Sequence, residues 1–409
     1  MKYIILLGDG MADYPLNELQ GKTPLSVAHT PHMDRIAGEG TQGLIDTIPA
    51  GFTPGSDVAN LSVLGYDPRV YHTGRAPLEA ASMGVKLGFD DVAFRCNLVT
   101  FTSAADEAVM EDFTSGHISS AEARLIIETL DKTLGSSVVR FYPGVGYRHL
   151  MVYKSGPVSL ETTPPHDITG MPITHRLPKG EGSEEIIRLM ERSRTILRDH
   201  PVNRERAAKG KKTVSSIWLW GEGRAPDMEP MTTRYGISGG IISAVDLLRG
   251  IGIYAGLEVL LVEGATGYTD TNYRGKAERA LAYLREGDFV FLHVEAPDEM
   301  GHEGDIGGKI QAIEDFDQKV VGTILTGIGA LGDFRVMVLS DHPTPIKLKT
   351  HSSDPSPFAM LSSIDGENIG KGGPYSETCA HDTGMIVSPG HQLMGYFMRD
   401  WRGLIEKKG

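Results

Sequence analysis

Short, wholly apolar runs separated by helical periodicity constrain the fold of this chain more than any other feature. The runs lie at residues 3–7, 214–220, 257–262, 289–294 and 336–339, and apolar residues recur at helical spacing at 274–285 and 309–325. Strands that are buried on both faces give such continuous runs, and parallel strands need crossover connections that are usually helical. The sequence therefore predicts an α/β fold built on a mostly parallel sheet flanked by helices.

Acidic residues follow several of these apolar runs. Asp9 comes after the first run, Glu295 and Asp298 come after 289–294, and Asp341 comes after 336–339. In an open parallel sheet, ligands bind beyond the carboxyl ends of the strands. We therefore expect these carboxylates to converge on one site.

The length of 409 residues allows a second domain. Between 91 and 179 the pattern changes to alternating patches, such as 138–142 and 149–153, around one helical stretch at 121–134. We interpret residues 91–179 as an inserted, smaller α+β domain, and residues 1–90 and 180–409 as the main domain. The turn-rich segment 164–182 would lead back to the main sheet, ahead of a helix that begins after Ser183.

Charge and composition limit the classes of partner. The chain has 40 Lys+Arg and 53 Asp+Glu, a net charge of −13, which disfavours binding to nucleic acid or to an anionic membrane. No apolar run approaches the roughly 20 residues that span a bilayer, and the first one breaks at Gly8-Asp9-Gly10, too early for a signal peptide. The two cysteines, Cys96 and Cys379, predict no disulfide framework. We expect a cytoplasmic protein and leave its oligomeric state open.

Aspartate and histidine recur at spacings that suit metal binding. Asp298 and His302 are four residues apart, so on a helical turn both side chains face one cation. Asp341-His342 directly follows a strand, and His351 supplies another imidazole from a nearby loop. Each of these residues alone is more often structural than a ligand. As a set placed at strand ends, they favour a site for two divalent metals.

The remaining histidines are interpreted as structural. The chain has 14 histidines, so a single one carries little information. His293 lies inside an apolar run, where a lone histidine is more often packed in the core than bound to a metal. The same interpretation applies to His166, His175, His381 and His391.

Ser56 lies at a predicted loop-to-helix junction in the segment Thr53-Pro54-Gly55-Ser56-Asp57. Free backbone N–H groups and the helix dipole favour an anion there, either a serine alkoxide or a bound phosphate. The alternative is that Ser56 is an ordinary N-cap, as serine commonly is. On this segment alone the N-cap is the stronger interpretation.

These motifs, taken in order, resemble those of the alkaline phosphatase superfamily. They are Gly8-Asp9-Gly10, the loop at Ser56, Pro297-Asp298 with Gly301-His302, Ser340-Asp341-His342, and Thr350-His351. More closely, the chain resembles the cofactor-independent phosphoglycerate mutases of the shorter, archaeal-type branch. The resemblance covers nearly the whole chain, including Phe94-Arg95-Cys96-Asn97, Tyr147-Arg148-His149 and Trp218-Leu219-Trp220-Gly221.

The resemblance implies an alkaline-phosphatase-like fold, a ligand set and a nucleophile. One metal would be held by Asp298, His302 and His351, and a second by Asp9, Asp341, His342 and the oxygen of Ser56. Manganese is the usual ion of the family, with magnesium or zinc as alternatives. Around the serine this chain has Gly55-Ser56-Asp57-Val58 where the longer branch has Asn-Ser-Glu-Val. The position of the nucleophile is therefore kept, while the roles of its neighbours do not carry over.

The implied reaction interconverts 3-phosphoglycerate and 2-phosphoglycerate through a phosphoserine, without bisphosphoglycerate. Closure by the inserted domain would decide whether the retained glycerate or water receives the phosphoryl group. Arg95 and Arg148 are candidate substrate ligands because a guanidinium fork suits a carboxylate or a phosphate. Lys212 and Arg75 are further candidates. For each of these cations, the alternative is a solvated surface charge.

Other classes of function stay open at this point. Some bacterial members of this branch have been proposed to be homoserine kinases, but the nearest approach to a phosphate-binding loop, Gly21-Lys22-Thr23, has Leu16 where the motif requires glycine. A metal-dependent phosphatase or phosphodiesterase would share the ligand set. A sulfatase is excluded because Ser56 lacks the Pro and Arg that follow the modified residue in that class. If the chain were a non-catalytic binding protein, we would expect some ligand positions to carry residues that cannot bind a metal, whereas every position here carries a suitable residue.

Overall fold

The computed structural model describes residues 1–104, 107–364, 373–399 and 403. The chain forms two compact units, one made of Met1–His72 and Asp227–Gly409 and the other of Thr73–Pro226. The second unit extends past the expected 91–179 segment at both ends. Helices and a strand on either side of that segment pack within the second unit, as described below.

The elements are named in chain order. The strands are β1 (Lys2–Gly8), β2 (Thr41–Ile45), β3 (Asp91–Ala104), β4 (Glu107–Asp112), β5 (Val139–Tyr142), β6 (Arg148–Lys154), β7 (Ser216–Arg224), β8 (Gly239–Ile242), β9 (Glu258–Val259), β10 (Phe289–Val294), β11 (Phe334–Leu339), β12 (Ser356–Ser362) and β13 (Ile386–Val387). The α-helices are α1 (Pro24–Val27), α2 (Pro31–Glu39), α3 (Ser56–Val63), α4 (Pro68–Tyr71), α5 (Arg75–Ser82), α6 (Ser120–Leu134), α7 (Ser183–Arg198), α8 (Pro201–Ala208), α9 (Met231–Tyr235), α10 (Asp246–Tyr254), α11 (Tyr273–Tyr283), α12 (Ala296–Glu303), α13 (Ile306–Asp315), α14 (Gly322–Gly327), α15 (Glu377–Asp382) and α16 (Leu393–Met398). A π-helical segment, Phe316–Val321, joins α13 to α14.

The first unit is built on a sheet with the strand order β13-β2-β12-β11-β1-β10-β8-β9. The pairs β11/β1, β1/β10, β10/β8, β8/β9 and β13/β2 are parallel, and β12 pairs antiparallel with both β11 and β2. Residues Ile4 to Leu7 of β1 and every residue of β10 are buried. Successive side chains of a strand point to opposite faces, so both faces of the sheet are covered at these strands. The predicted mostly parallel α/β sheet is confirmed.

Strand register brings the acidic residues to one edge of this sheet. Gly8 of β1 pairs with Val294 of β10, and Leu7 pairs with Leu339 of β11. These three strands are parallel neighbours, so the residues that follow them emerge side by side at their carboxyl ends. The loops after β1, β10 and β11 therefore start next to one another.

The helices predicted at 274–285 and 309–325 are confirmed as α11 and as the continuous segment α13 to α14. Asn272 caps α11 by accepting a hydrogen bond from the backbone N–H of Gly275. Both helices pack on the sheet, with Ala277 and Ile313 among the fully buried residues of the core. Each fully buried aliphatic side chain of the size of Ile contributes roughly 1.5–3 kcal/mol.

The second unit is built on an antiparallel sheet with the order β4-β3-β6-β5, in which β7 also pairs with β3. The prediction that 214–220 is a strand of the main parallel sheet is wrong, because β7 runs antiparallel to β3 here. Helices α5 and α7 both contact β7, which is buried from Ser216 to Trp220. An antiparallel strand covered in this way gives the same apolar run as a parallel one.

Other local predictions had mixed outcomes. The run at 257–262 forms only the two-residue strand β9 at the sheet edge, and Leu261 beyond it is exposed. The helix predicted at 121–134 is confirmed as α6, which starts with a capping box between Ser119 and Glu122. The helix expected near Ser183 is α7, but it belongs to the second unit and does not return to the main sheet. Within the described ranges, no helix is long and apolar enough to cross a membrane.

Candidate active site

The first unit gathers all of the predicted metal ligands and the candidate nucleophile near the carboxyl ends of β1, β10 and β11. They are Asp9, Ser56, Asp298, His302, Asp341, His342 and His351. Residues far apart in the chain thus come within hydrogen-bonding or ion-pair distance of each other. The convergence expected from the strand ends is found.

One group of ligands is centred on α12, which begins directly after β10. Asp298 lies in the first turn of α12 and His302 lies one turn later, so Oδ2 of Asp298 is 3.2 Å from Nε2 of His302. His351 approaches from a loop, with its Nε2 3.5 Å from Oδ1 of Asp298 and 3.0 Å from Nε2 of His302. The potential ligand atoms of these three side chains therefore lie close to one another.

A second group is formed by Asp9, Asp341 and His342, all fully buried. Nε2 of His342 lies 3.5 Å from Oδ1 of Asp9 and 3.5 Å from Oδ2 of Asp341. The rings of His342 and His351 are 4.2 Å apart between centroids, so the two groups are adjacent. This proximity matches the arrangement needed for a pair of cations that act on one phosphoryl group.

Ser56 is the first residue of α3, and its hydroxyl faces the second group. Gly55 is the N-cap residue, and Ser56 Oγ lies 3.2 Å from Nε2 of His342. The N-cap interpretation of Ser56 is therefore wrong, because the helix begins at Ser56 itself, one residue earlier than that interpretation requires. One turn on, Asn60 donates hydrogen bonds to the backbone oxygen of Ser56 at 2.9 Å and to Oδ2 of Asp341 at 2.8 Å. Asn60 is therefore a further residue of the site that was not predicted.

The chain leaves Gly10 no room for a side chain beside this site. Its φ is +60°, which favours glycine, and a Cβ there would lie 2.5 Å from Oγ1 of Thr344 and 2.6 Å from Oδ1 of Asp298. Thr344 is itself hydrogen-bonded to Oδ1 of Asp298. Glycine at position 10 thus reflects close packing of the loop after β1 against the first turn of α12 and the loop after β11.

The carboxylates of the site repel one another. Burial, followed by the negative charges of Asp341, Asp298 and Glu295, raises the pKa of Asp9 well above its usual value. Oδ1 of Asp9 and Oε2 of Glu295 are buried and have no hydrogen-bond partner among the described residues. Buried negative charge is costly unless cations balance it. Carboxylate oxygens and imidazole nitrogens are ligands of divalent metals, so this set of side chains fits such ions.

The pKa of Asp298 is shifted in the opposite direction from that of Asp9. Burial raises the pKa of Asp298, but hydrogen bonds from His302 and His351 outweigh burial and bring it well below its usual value. The same hydrogen bond from His302 to Asp298, opposed by burial, raises the pKa of His302 to about 9. In the absence of a cation, protonated imidazole therefore supplies the positive charge that this group needs.

Two further buried side chains at the site were not predicted. His293 is packed in β10 as expected, but its Nε2 lies 2.8 Å from Oδ2 of Asp9, and it forms a third potential ligand group with Asp9 and Glu295. Lys309 of α13 donates to Oδ2 of Asp13 at 2.8 Å and to the backbone oxygen of Thr344 at 2.8 Å. A histidine one residue before the end of an apolar strand was the one available signal for His293.

The candidate substrate residues lie in the second unit, where three of the four are close together. Arg95 of β3 forms an ion pair with Glu79 at 3.0 Å, and its guanidinium lies 4.1 Å from the centre of the Trp220 ring. Burial lowers the pKa of Arg95, opposed by Glu79, and the positive charges of Arg75 and Arg148 lower it further. These arginines are therefore within electrostatic reach of each other.

Lys212 is not brought together with these arginines. Its ammonium pairs with Asp112 at 3.0 Å and with Glu111 at 3.4 Å. Lys212 precedes β7, whose Ser216 pairs with Val99, whereas the arginine cluster lies further along β7 at Trp220. The half-exposed ion pairs of Lys212 fit the alternative of a surface charge.

Sequence relatives that share one name align with most of the chain. The family described as 2,3-bisphosphoglycerate-independent phosphoglycerate mutase matches residues 37–203. A protein of Geobacter sulfurreducens named "Probable 2,3-bisphosphoglycerate-independent phosphoglycerate mutase" is 54% identical over 394 residues, which cover 96% of this chain and 98% of the relative. A 2,3-bisphosphoglycerate-independent phosphoglycerate mutase of Methanosarcina barkeri is 55% identical over 362 residues, 88% of this chain and 90% of the relative.

Solved structures share the fold across both units. A Pyrococcus horikoshii protein superposes with a TM-score of 0.81 at 28% identity and covers 98% of this chain and 97% of its own. The cofactor-independent phosphoglycerate mutase of Thermoplasma acidophilum superposes with a TM-score of 0.66 at 25% identity, over 98% of this chain and 99% of its own. Likeness to these structures therefore extends over almost the full length.

Proposed function

The chain belongs to the family of 2,3-bisphosphoglycerate-independent phosphoglycerate mutases, and we propose that it interconverts 3-phosphoglycerate and 2-phosphoglycerate without bisphosphoglycerate. Relatives that carry this name are 54% and 55% identical over most of the chain. The observation that carries the proposal is the hydroxyl of Ser56, which starts α3 and lies 3.2 Å from His342 within the ligand set.

We propose that the site binds two divalent cations, with manganese as the first choice and magnesium or zinc as alternatives. Asp298, His302 and His351 would hold one ion, and Asp9, Asp341, His342 and Ser56 would hold the other. The short distances among Asp298, His302 and His351 support the first set, and the grouping of Asp9, Asp341 and His342 supports the second. His342 also has a ligand atom close to those of Asp298 and His351, so it lies where the two sets meet. When bound, such cations polarise phosphoryl oxygens and lower the pKa of a coordinated hydroxyl.

In the proposed reaction, Oγ of Ser56 attacks the phosphorus of the substrate in line with the leaving oxygen. The Oγ–P bond forms as Ser56 loses its hydroxyl proton, the P–O bond to glycerate breaks, and the departing alkoxide oxygen takes up a proton to become a hydroxyl of glycerate. Backbone N–H groups at the start of α3 face the developing charge, since the first turn of a helix has no internal acceptors for them. Asn60 holds Ser56 and Asp341 in place through its two hydrogen bonds.

The second half of the proposed reaction returns the phosphoryl group to the other hydroxyl of the same glycerate. Arg75, Arg95 and Arg148 are proposed to bind the anionic substrate, because guanidinium groups pair with carboxylates and phosphates in two-point contacts. Their mutual proximity supports this assignment, and Lys212 is left out of it. The closure role expected for the second unit stays a prediction.

We also infer a cytoplasmic location, which the two free cysteines support.

One assay tests the function directly. Purified protein is incubated with 3-phosphoglycerate and Mn²⁺ without bisphosphoglycerate, and 2-phosphoglycerate and free phosphate are followed separately. We expect 2-phosphoglycerate to form with little phosphate. Free phosphate as the main product would identify a phosphatase instead, and a parallel incubation with homoserine and ATP tests the kinase alternative.

A further inference from the structure

His293 is a fully buried side chain that none of the proposed steps uses. It is the second-to-last residue of β10, beside the strand end from which Asp9 emerges. Its Nε2 lies 2.8 Å from Oδ2 of Asp9, and its Nδ1 lies 3.1 Å from Oγ of Ser243. The ring therefore connects a proposed metal ligand to a buried hydroxyl.

The hydrogen bonds of Ser243 determine which ring nitrogen of His293 carries the proton. Oγ of Ser243 accepts a hydrogen bond from the backbone N–H of Val245 at 3.0 Å. Among the described residues, Nδ1 of His293 is the acceptor that lies within hydrogen-bonding distance of the Ser243 hydroxyl, at 3.1 Å. A buried hydroxyl that donates to nothing is costly, so Ser243 donates to Nδ1. Nε2 then carries the ring proton and donates it to Oδ2 of Asp9.

This arrangement separates the two oxygens of Asp9. Oδ2 accepts the hydrogen bond from His293, whereas Oδ1 has no hydrogen-bond partner among the described residues and lies 3.5 Å from Nε2 of His342. The oxygen that faces the other ligands is thus the one left open. Lys276 fixes the backbone beside the ring by donating to the carbonyl of His293 at 3.1 Å.

We propose that His293, oriented by Ser243, is a positioning residue that holds Oδ2 of Asp9 and aims Oδ1 at the cation bound with Asp341 and His342. The inference rests on the proposed two-cation site. It does not depend on the identity of the substrate. Hydrogen-bond partners behind metal ligands commonly alter metal affinity by 10- to 100-fold.

An alternative use of the same residues is a further cation site. Oε2 of Glu295 lies 3.6 Å from Nε2 of His293, and Asp9, His293 and Glu295 have ligand atoms close to one another. In that case His293 would itself bind a cation through Nε2. The two uses differ in the number of ions bound, which calorimetry measures.

The test is an isothermal calorimetric titration of the metal-free, full-length protein with Mn²⁺ alone. His293→Leu removes the donor at nearly constant size, and we expect an unchanged number of bound ions with one dissociation constant raised about 10- to 100-fold. His293→Gln keeps an N–H group near the position of Nε2, and we expect its dissociation constants to fall between those of wild type and His293→Leu. The rescue by Gln is a result that loss of packing alone would not give.

His149→Leu provides a matched control, since His149 is also a buried histidine that accepts one hydrogen bond, from Gly144, but lies in the second unit. We expect wild-type Mn²⁺ binding in this variant, and circular dichroism of each protein establishes that it is folded. Wild-type affinity in His293→Leu would overturn the proposal, as would the loss of one bound ion in both His293 variants. Because no substrate is present, a wild-type protein that binds Mn²⁺ but lacks mutase activity would contradict the proposed function alone.

Discussion

Oγ of Ser56 lies 3.2 Å from Nε2 of His342, although the two residues are 286 positions apart in the chain. Ser56 starts α3, and His342 follows β11, which lies next to the central strand β1. The contact therefore joins a helix start, where negative charge is stabilised, to a strand end, where the carboxylates converge. A hydroxyl in this setting is suited to form a phosphoester.

Replacing Ser56 by Ala is expected to lower the mutase rate by about 10³-fold or more, because the proposed nucleophile is lost. Trapping of wild-type protein with 3-phosphoglycerate should give a phosphorylated peptide that contains residue 56, detected by mass spectrometry. The Ser56→Ala protein should give none. Turnover within a few-fold of wild type in this variant would remove the serine from the mechanism.

Ser62→Ala is a suitable control for this experiment. Ser62 lies in the same helix, but its hydroxyl donates to the backbone oxygen of Thr47 and not to the ligand set. We expect the control to lose about 1 kcal/mol of stability and to keep its activity. A comparable loss of activity in both variants would point to damage to α3 itself.

Metal affinity is expected to depend on pH through His302. In the metal-free protein its hydrogen bond to Asp298, opposed by burial, raises the pKa of His302 to about 9. A cation that binds Nε2 must displace this proton, so the affinity of that site for Mn²⁺ should rise by up to about tenfold per pH unit below pH 9 and level off above it. Calorimetry in buffers of different ionisation enthalpy measures the proton release directly.

Removal of the metal by a chelator should abolish activity, and added Mn²⁺ should restore it.

His302→Ala removes the titrating group, so the remaining affinity for that ion should be weaker and less dependent on pH between 7 and 9. A pH dependence equal to that of wild type in His302→Ala would mean that another group releases the proton. This variant is compared at the same ionic strength, because salt screens charged groups.

The buried ion pair between Lys309 and Asp13 is expected to stabilise the loops that carry the ligands. Both side chains are fully buried, and Lys309 also donates to the backbone oxygens of Ala12 and Thr344. Lys309→Met leaves Asp13 buried and unpaired, which should cost about 3–5 kcal/mol in the free energy of unfolding. The double variant Lys309→Met/Asp13→Asn should recover part of that loss, as measured by denaturant unfolding of each protein.

If the double variant were as unstable as the sum of the two single variants, the pair would have no interaction energy of its own. The single variant Asp13→Asn completes the cycle. Its cost should also be substantial, because Asp13 accepts hydrogen bonds from the backbone N–H groups of Ile346 and Tyr14. Unfolding is measured with and without Mn²⁺, since bound metal stabilises the folded state.

Much of the site was predictable because its signals are local in sequence. An apolar run that ends in an acid marks a strand end, and parallel register then brings Asp9, Asp298 and Asp341 together. The spacing of Asp298 and His302 needs one helical turn, and α12 supplies it. Ser56 was ambiguous because N-cap and first helical residue differ by one position, which propensity cannot separate.

The remainder depends on contacts that no local pattern records. β7 gives the apolar run of a parallel strand because α5 and α7 cover it, although it lies in an antiparallel sheet. Lys309 looks like a surface residue of an amphipathic helix, while its partner Asp13 is 296 residues away. His293 and Asp9 are 284 residues apart. Only the tertiary structure shows that such residues are paired.

Arg148 and Lys212 offer a direct contrast for substrate binding. Both are cations of the second unit with exposed side chains, but Arg148 is close enough to Arg95 to affect its pKa, which burial lowers first, whereas Lys212 pairs with Asp112 and Glu111. Arg148→Met should raise KM for 3-phosphoglycerate by about 10- to 100-fold, the value of a lost charge-assisted hydrogen bond of about 1.5–3 kcal/mol. Lys212→Met should leave KM within about twofold, because an exposed ion pair contributes little.

The comparison separates substrate binding from stability, since KM and the free energy of unfolding are measured on the same two proteins. Methionine keeps the length of either side chain and removes its charge, so packing along the aliphatic stem is retained in both variants. A raised KM in Lys212→Met with wild-type KM in Arg148→Met would reverse the assignment. It would place the anionic end of the substrate near Asp112 and Glu111. These two carboxylates would repel the substrate, and Lys212 would have to give up its ion pairs with them in order to bind it. That cost is the physical reason for assigning the substrate to the arginines.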